Sequence, residues 1–240
     1  VIHAESKGSY GSPRIQDELN DQGIPCGRKR VARLMRLEGL RAKAGKKFKA
    51  TTDSAHSKPV APDLVQRRFV AKAPNLIWVG DITYLWTPEG WLYLAVFIDL
   101  HSRMVVGWAT GTPLTASLVT LALARAMARR RPAEGLIAHT DQGTQYASTA
   151  FRQALKAARA LQSMGSRGDC YDNAVAESFF HSFKVEAIYD SDIETIREME
   201  VEVFEYIESF YNRRRKHSAI GLRSPEPFEN GVTNNRKAAA

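Results

Sequence analysis

The chain has 240 residues, 44% hydrophobic and 9% aromatic, enough for one sizeable globular core with a small module beside it. Its formal charge of +8 and pI near 9.6 favour a polyanionic partner. Cys26 and Cys170 form no C-x-x-C pair, which excludes a disulfide framework or a cysteine zinc site, and the longest apolar stretch, WLYLAVFI, is too short to cross a bilayer. These features predict a soluble, cytoplasmic protein with no membrane partner. Val1 opens in mid-pattern without an initiator Met, so a longer natural chain is expected upstream. The charge is uneven: residues 1–72 carry 16 Lys and Arg against 7 Asp and Glu, and residues 73–240 carry 18 against 19. The basic excess therefore belongs to the N-terminal segment, as in an appended DNA-binding module.

In chain order, Ser12-Pro13 predicts a helix start, Ser as N-cap and Pro at the first helical position, with Ile15 and Leu19 on one face and Gly23 closing it. After the turn Gly23 to Gly27, a second helix carries Val31, Leu34 and Met35 on one side and Lys29, Arg33 and Arg36 opposite, until Gly39. Residues 1–42 thus read as a helix-turn-helix whose basic outer face suits DNA, the alternative being a solvated hairpin surface. Residues 43–75 are rich in Lys, Ala, Ser and Pro and read as an extended basic linker. Three strands are predicted at 76–86, 91–100 and 104–111, separated by Pro88-Glu89-Gly90 and His101-Ser102-Arg103. A helix follows at 114–131, with Leu118, Leu121, Leu123 and Met127 as its apolar face, then a strand at 136–140, a helix at 149–160 and a strand at 161–164. A Gly-rich loop, GSRGDCYD, leads to helices at about 173–189 and 193–213, and the basic cluster RRRK closes the segment. Three antiparallel strands followed by alternating helix and strand make the order of a ribonuclease H-like α/β core, a mixed five-stranded sheet flanked by helices, over residues 76–217, with 218–240 as a C-terminal tail.

Three acids stand out. Asp81 interrupts the apolar run LIWVGDITYLW, Asp141 follows the strand in LIAHTDQGTQY, and Glu177 lies on the helix DNAVAESFFHSFK. A carboxylate on a buried strand is costly unless paired or bound to a cation. In this fold order the three can converge at one sheet edge, where hard cations such as Mg²⁺ take oxygen ligands from a few carboxylates plus substrate phosphate. Two such ions, with Mn²⁺ able to substitute, would suit in-line displacement at phosphorus.

The phrases WVGDITYLWTPEGWLYLAVFIDLHSRMVVGW, HTDQGTQYAS, SRGDCYDNAVAESFFHSFKVE and YNRRRKHSAIGLRSPEPF closely resemble the catalytic region of bacterial insertion-sequence transposases of the two-frame, frameshift-fused group, within the retroviral-integrase superfamily. The stretch YGSPRIQDELNDQGIPCGRKRVARLMRLEGL is similar to the helix-turn-helix that precedes that core. The resemblance places the DDE triad on Asp81, Asp141 and Glu177, with 35 residues between the last two, and a basic position on Lys184. On one helix Glu177, His181 and Lys184 share a face, so Lys184 and His181 are expected to reach a DNA phosphate or terminal base. Gln142, Gln145 and Tyr146 are expected on an active-site loop that positions the DNA end. The resemblance further implies cleavage at insertion-sequence ends, 3′-OH strand transfer, double-stranded DNA with terminal repeats and target DNA as partners, a homo-multimer on paired ends, and a nucleoid-associated location.

Less specific residues read structurally. His139 is expected to be hydrogen-bonded in the core, and Asn173 to cap the helix of Glu177. Tyr211 to His217 mixes aromatic and basic residues, compatible with DNA contact or with a solvated helix end. The rivals are a related integrase or nuclease, and a silent helix-turn-helix regulator or transposition inhibitor. An integrase would carry a His/His/Cys/Cys zinc module, yet Cys26 is the sole cysteine before residue 170. A regulator has no need of three acids beside a DNA backbone.

Overall fold

The computed structural model describes residues 1–43, 58–165 and 174–238, with side chains through residue 231. Three short helices open the chain, α1 (Ile2–Glu5), α2 (Ser12–Asp21) and α3 (Arg28–Leu37). Gly11, not Ser12, is the N-cap of α2, so Ser12 and Pro13 fill its first two positions, where an N–H is unpaired in any helix. In α3, Val31 and Met35 turn inward, while Leu34 is exposed together with Lys29, Arg33 and Arg36. The buried stripe is one residue wide per turn, narrower than predicted, because α3 packs against a single neighbouring surface.

The sheet comprises β1 (Ile77–Thr87), β2 (Gly90–Asp99), β3 (Val105–Gly111), β4 (Ile137–Thr140) and β5 (Leu161–Met164) in the order β3-β2-β1-β4-β5. The first three run antiparallel; β4 joins β1, and β5 joins β4, in parallel. This is the predicted ribonuclease H-like arrangement, with strand ends within one residue of the expected ones. Helix α4 (Ala116–Arg130) crosses over from β3 and α5 (Thr149–Ala157) connects β4 to β5. Leu121 of α4 is exposed, against expectation, whereas Leu118 and Leu123 are buried. Helix α6 (Ala174–Phe183) widens into a π-helical turn, Lys184–Ile188, and α7 (Ile196–Phe204) into another, Glu205–Tyr211. The two long predicted helices are therefore each an α-helix with a π-helical end. Residues 218–220 form a 3₁₀ turn before α8 (Pro225–Ala238).

Alternation along the strands divides the core. Val79, Leu85, Leu94, Val96 and Ile98 face α6 and α7, whose Phe179, Phe183, Val203 and Tyr206 pack on them. Trp78, Ala95, Phe97, Val106 and Ala109 face α4 and α5. Phe97 lies across from Gly80 on one side and Gly107 on the other. A Cβ at Gly80 would meet the Phe97 ring at 2.6 Å, and one at Gly107 would meet the Ala122 carbonyl at 2.5 Å. Both glycines therefore let bulky neighbours close on the sheet.

The N-terminal helices are not a loose appendage. Tyr10, Ile15, Val31 and Met35 belong to the same buried cluster as the α6 and α7 face. The Lys216 ammonium reaches Asp17 at 2.5 Å, Glu18 at 3.3 Å and Asp21, all on α2. The Tyr10 hydroxyl donates to the Arg214 carbonyl and accepts from the Lys216 N–H, and Lys7 pairs with Glu202. Residues 44–57 of the predicted linker lie outside the described residues. Its second half is docked, not solvated: Val65 and Ala71 are buried, the Leu64 N–H donates to Ser163 Oγ, and the Ala71 carbonyl pairs with His101 Nδ1 at 2.9 Å.

Candidate active site

Two aspartates stand on the central strands, and their surroundings differ. Asp99, buried at the end of β2, accepts from the N–H groups of Asn75, His101 and Ser102 and from Ser102 Oγ. That is a carboxylate spent on a turn. Asp81, in the middle of β1, accepts one hydrogen bond among the described residues, from the Ile82 N–H at 2.8 Å. Burial first, then the nearby Asp141 and, more weakly, Glu177, push the Asp81 carboxyl well above the usual carboxylate range; the Ile82 N–H and Lys184 oppose this only in part.

The sheet register brings these acids together. Gly80 pairs with Thr140, the last residue of β4, so Asp81 and Asp141 follow side by side on parallel strands. Asp141 Oδ1 accepts from the Gly143 N–H at 3.0 Å, and a Cβ at Gly143 would stand 2.9 Å from that same oxygen. The Gln142 amide donates to the Gly165 carbonyl, stapling the loop after β4 to the end of β5. Glu177 sits in the first turn of α6, which Phe179, Phe180 and Phe183 hold against β1 and β2, and burial raises its carboxyl. The structure thus gathers all three predicted acids at one end of the sheet.

Lys184 differs from expectation. It is buried, 8% exposed, at the start of the π-helical turn, where burial lowers its ammonium and Asp81 counters the shift. A lysine expected to reach out to a DNA phosphate thus has its aliphatic stem packed in the fold and its ammonium coupled to Asp81. Tyr146 is also corrected. It is buried in the core of α4 and α5, edge-on to Phe151, and cannot stack on a DNA end from there. Burial, then Asp81 and Asp141, push its hydroxyl well up, and Tyr146 Oη has no partner among the described residues. His181 is exposed and stays accessible on α6, and Gln145 is half-buried on the loop. His139 is buried with Nδ1 2.8 Å from Ser163 Oγ, the structural role expected of it. Asn173 and Cys170 lie outside the described residues.

The RRRK cluster divides. Arg213 and Arg214 are exposed, but Arg215 is buried and Lys216 is committed to α2. Burial would lower the Arg215 guanidinium, but its hydrogen bonds to Glu186, at 2.7 and 2.8 Å, outweigh that and raise it. Tyr206 Oη donates to the same Glu186 at 2.6 Å, and Arg215 Nη2 donates to Ser182 Oγ. This buried network underlies the π-helical turn of Lys184 and went unforeseen, since its members read as a solvated basic end and two unremarkable polar residues. Burial and the Arg215 and Arg14 charges push His217 down to about 2, so it stays neutral.

The site suits a hard divalent cation. Its donors are carboxylate oxygens whose mutual repulsion Lys184 offsets only in part, beside an orphaned buried hydroxyl. Among the described residues no group of three or more His, Cys, Asp or Glu side chains is gathered closely enough to hold a metal alone. Mg²⁺ keeps several waters and substrate oxygens, so an open set of acids is compatible with it.

Comparison with known proteins gives a consistent result. The integrase core domain pattern matches residues 71–170, with a second integrase core pattern over 177–232, and an HTH-like domain pattern matches residues 1–48. The transposase InsF for insertion sequence IS3A of Escherichia coli (strain K12) is 50% identical over 225 residues, 94% of this chain and 78% of that protein. The insertion element IS600 uncharacterized 31 kDa protein of Shigella sonnei is 42% identical over 228 residues, 95% of this chain and 84% of that protein. Among solved structures, the simian T-cell lymphotropic virus intasome in complex with PP2A regulatory subunit B56 gamma is similar with a TM-score of 0.56 and 16% identity, over 95% of this chain and 73% of that one. The HTLV-2 integrase catalytic core domain in complex with magnesium is similar with a TM-score of 0.50 and 15% identity, over 66% and 98%. At these identities the structural likeness speaks for the fold. Among the described residues no helix is long and apolar enough to cross a membrane.

Ionising Asp81 has a measurable cost. Its folded-state pKa is raised, so ionisation destabilises the fold: the cost is absent below the unfolded carboxyl value and grows as pH rises toward the folded one. In chelator-treated protein, Asp81→Asn is therefore expected to melt a few degrees higher than the parent at pH 7 to 8, since about 1 kcal/mol moves Tm by roughly 2–4 °C at this size. The gap should close by about pH 4, near the unfolded Asp value. Thermal melts across that range check it, and a variant less stable than the parent at neutral pH would show that Asp81 is a structural carboxylate like Asp99.

Proposed function

Because the chain belongs to the insertion-sequence transposases of the IS3 type, we propose that Asp81, Asp141 and Glu177 are the acids at which it cleaves and joins DNA. The chain is a DNA transposase, a polynucleotidyl transferase of the DDE kind built on an integrase core. The observation that carries the assignment is the contrast between Asp99, saturated with hydrogen bonds, and Asp81, held beside two other acids with almost none.

Its chemistry is that of a divalent-metal enzyme, and the acids fit two Mg²⁺ ions, with Mn²⁺ as a substitute. When bound, such ions neutralise the scissile phosphate and activate the attacking and leaving oxygens. Asp81, Asp141 and Glu177 would hold them together with substrate phosphate. In the first step water attacks phosphorus at the element end, and the 3′ oxygen leaves with a proton, giving a free 3′-OH. In the second, that hydroxyl forms a new bond to a phosphorus of target DNA, whose own 3′ oxygen leaves protonated. Lys184, next to Asp81, offsets acidic charge before DNA arrives and faces phosphate once it has. The Gln142 staple and the Gly143 N–H keep Asp141 oriented, so the acids need little rearrangement during the reaction.

Recognition of terminal repeats falls to α3, whose Lys29, Arg33 and Arg36 are exposed on the side away from the core. Pairing of two ends by a homo-multimer, and action at the nucleoid, follow from the same reading, as does a functional division into residues 1–42, 43–75, 76–217 and 218–240. Removing residues 1–42 is a poor test of it, because α2 covers Lys216 and Tyr10 is buried against the core.

Asp81→Asn, Asp141→Asn and Glu177→Gln are each expected to lose at least about 10²-fold in end cleavage and strand transfer with end binding retained, the loss typical when transition-state charge stabilisation is removed. Gel assays on labelled element ends with Mg²⁺ check this, and near-normal turnover in any one variant removes that residue from the triad. Arg33→Ala and Arg36→Ala should each weaken end binding and lower the slope of log affinity against log salt by roughly 0.9 per lost phosphate contact. Slopes equal to the parent's would move DNA reading away from α3.

A further inference from the structure

On the face of the sheet opposite Asp81, the β1–β2 hairpin carries four aromatic residues in two cross-strand pairs, Tyr84 with Tyr93 and Trp86 with Trp91. Ile82 and Tyr93 pack on the margin of the core under α4 and α5, and beyond them Trp86 and Trp91 remain 57% and 49% exposed. Their rings meet edge to face with centroids 4.9 Å apart, and Tyr84 meets both Trp91 and Tyr93 edge to face at 6.1 Å. An edge-to-face pair leaves ring faces turned away from the partner and open to a third group. The hairpin is also held still: Thr87 Oγ1 donates to the Gly90 carbonyl, and Glu89 accepts the Ile196 N–H at 2.7 Å, tying the tip to the start of α7. Large exposed indoles on a pinned tip are a pre-organised surface, because ordering them on binding costs little.

We propose that Trp86 and Trp91, backed by Tyr84 and Tyr93, form a stacking platform for one or two unpaired nucleobases of the DNA strand engaged at Asp81. The location argues for it. β4 ends at Thr140, opposite Gly80, so from Asp81 onward β1 has no strand beside it on that edge among the described residues. Trp86 is five residues further along the same strand, roughly 17 Å at about 3.4 Å per residue. A DNA strand leaving the acids around this free edge reaches the indoles. The size argues for a base over a second copy of the chain. With aromatic side chains of about 150–250 Å² each, two half-exposed indoles offer a few hundred Å² at most, against roughly 800 Å² per partner in a stable protein interface. Stacking reads no sequence, which suits a strand whose flanking sequence changes with every insertion site. The proposal rests on the transposase reading, but its test needs no catalysis.

The experiment titrates a fluorescently labelled ten-nucleotide oligothymidylate into the 240-residue chain in chelator, following oligonucleotide anisotropy and, with unlabelled oligonucleotide, tryptophan emission. In the parent, binding should quench a substantial part of the emission, while fully buried Trp78 and half-buried Trp108, packed on Phe204 with its indole N–H donated to Glu208, should not respond. Trp86→Ala with Trp91→Ala should lose the quenching and roughly tenfold or more in affinity, as expected for loss of base stacking. Trp86→Phe with Trp91→Phe should also lose the quenching but recover most of the affinity, since a phenyl ring still stacks. Parent emission unchanged at saturation, or unaltered affinity in the double alanine variant, overturns the platform. So does a double alanine variant that sediments as a smaller species with the parent's affinity, which would make this face a contact between copies. Normal cleavage by the triad variants with indole-dependent quenching intact would remove the catalytic assignment and leave the platform standing.

Discussion

A carboxylate in the middle of a central strand, with one backbone hydrogen bond among the described residues and two other acids for neighbours, is costly to bury, and much of the architecture around it keeps it there. The parallel pairing of β1 with β4 fixes Asp141 beside Asp81; a one-residue slip of β4 would reverse its side chains and bury Thr140 in that place. The phenylalanines of α6 seat Glu177 above the same point, and Gly143 leaves room for the Asp141 oxygen. Repulsion among these groups is stored by tight packing on both sheet faces.

The same constraint explains the buried cations. Lys184 is the charge nearest the acids in chain order, and a π-helical turn carries it, with its carbonyl accepting the Tyr189 N–H. Below that turn the Glu186, Arg215 and Tyr206 network is fully enclosed, and breaking such a pair by removing one partner typically costs about 3–5 kcal/mol. Next to Arg215, Lys216 holds the acidic side of α2, and Val31 and Met35 of α3 share the α6 and α7 core, so α3 and the acids belong to one packed body.

Sequence carried the frame of this molecule because its signals are local. Strand alternation, the turns at Pro88-Glu89-Gly90 and His101-Ser102-Arg103, and the odd placement of Asp81 in an apolar run all lie within a few residues. The five strands and the meeting of three acids were legible for that reason. What escaped depends on distant partners. The burial of Lys184 and Tyr146, the split of RRRK into exposed and internal residues, and the docking of residues 58–75 on β5 and the β2–β3 turn are set by groups far away in the chain. Helical periodicity likewise placed Leu34 and Leu121 on apolar faces that no neighbour covers. The difference between Asp99 and Asp81 could not be read from sequence, since both end or interrupt apolar runs and only the hydrogen bonds distinguish them.

Whether the Asp81 carboxyl binds a divalent cation is tested most directly by proton linkage. Calorimetric titration of Mn²⁺ into chelator-stripped protein, repeated in two buffers of different ionisation enthalpy, counts the protons displaced by the metal. Proton release is expected to accompany binding wherever the Asp81 carboxyl is still protonated, because a carboxyl raised above its ordinary range must ionise to bind. That release should shrink as pH rises and vanish in Asp81→Asn along with most of the affinity. Binding of equal strength in Asp81→Asn, or identical heats in both buffers at every pH, would contradict cation binding there.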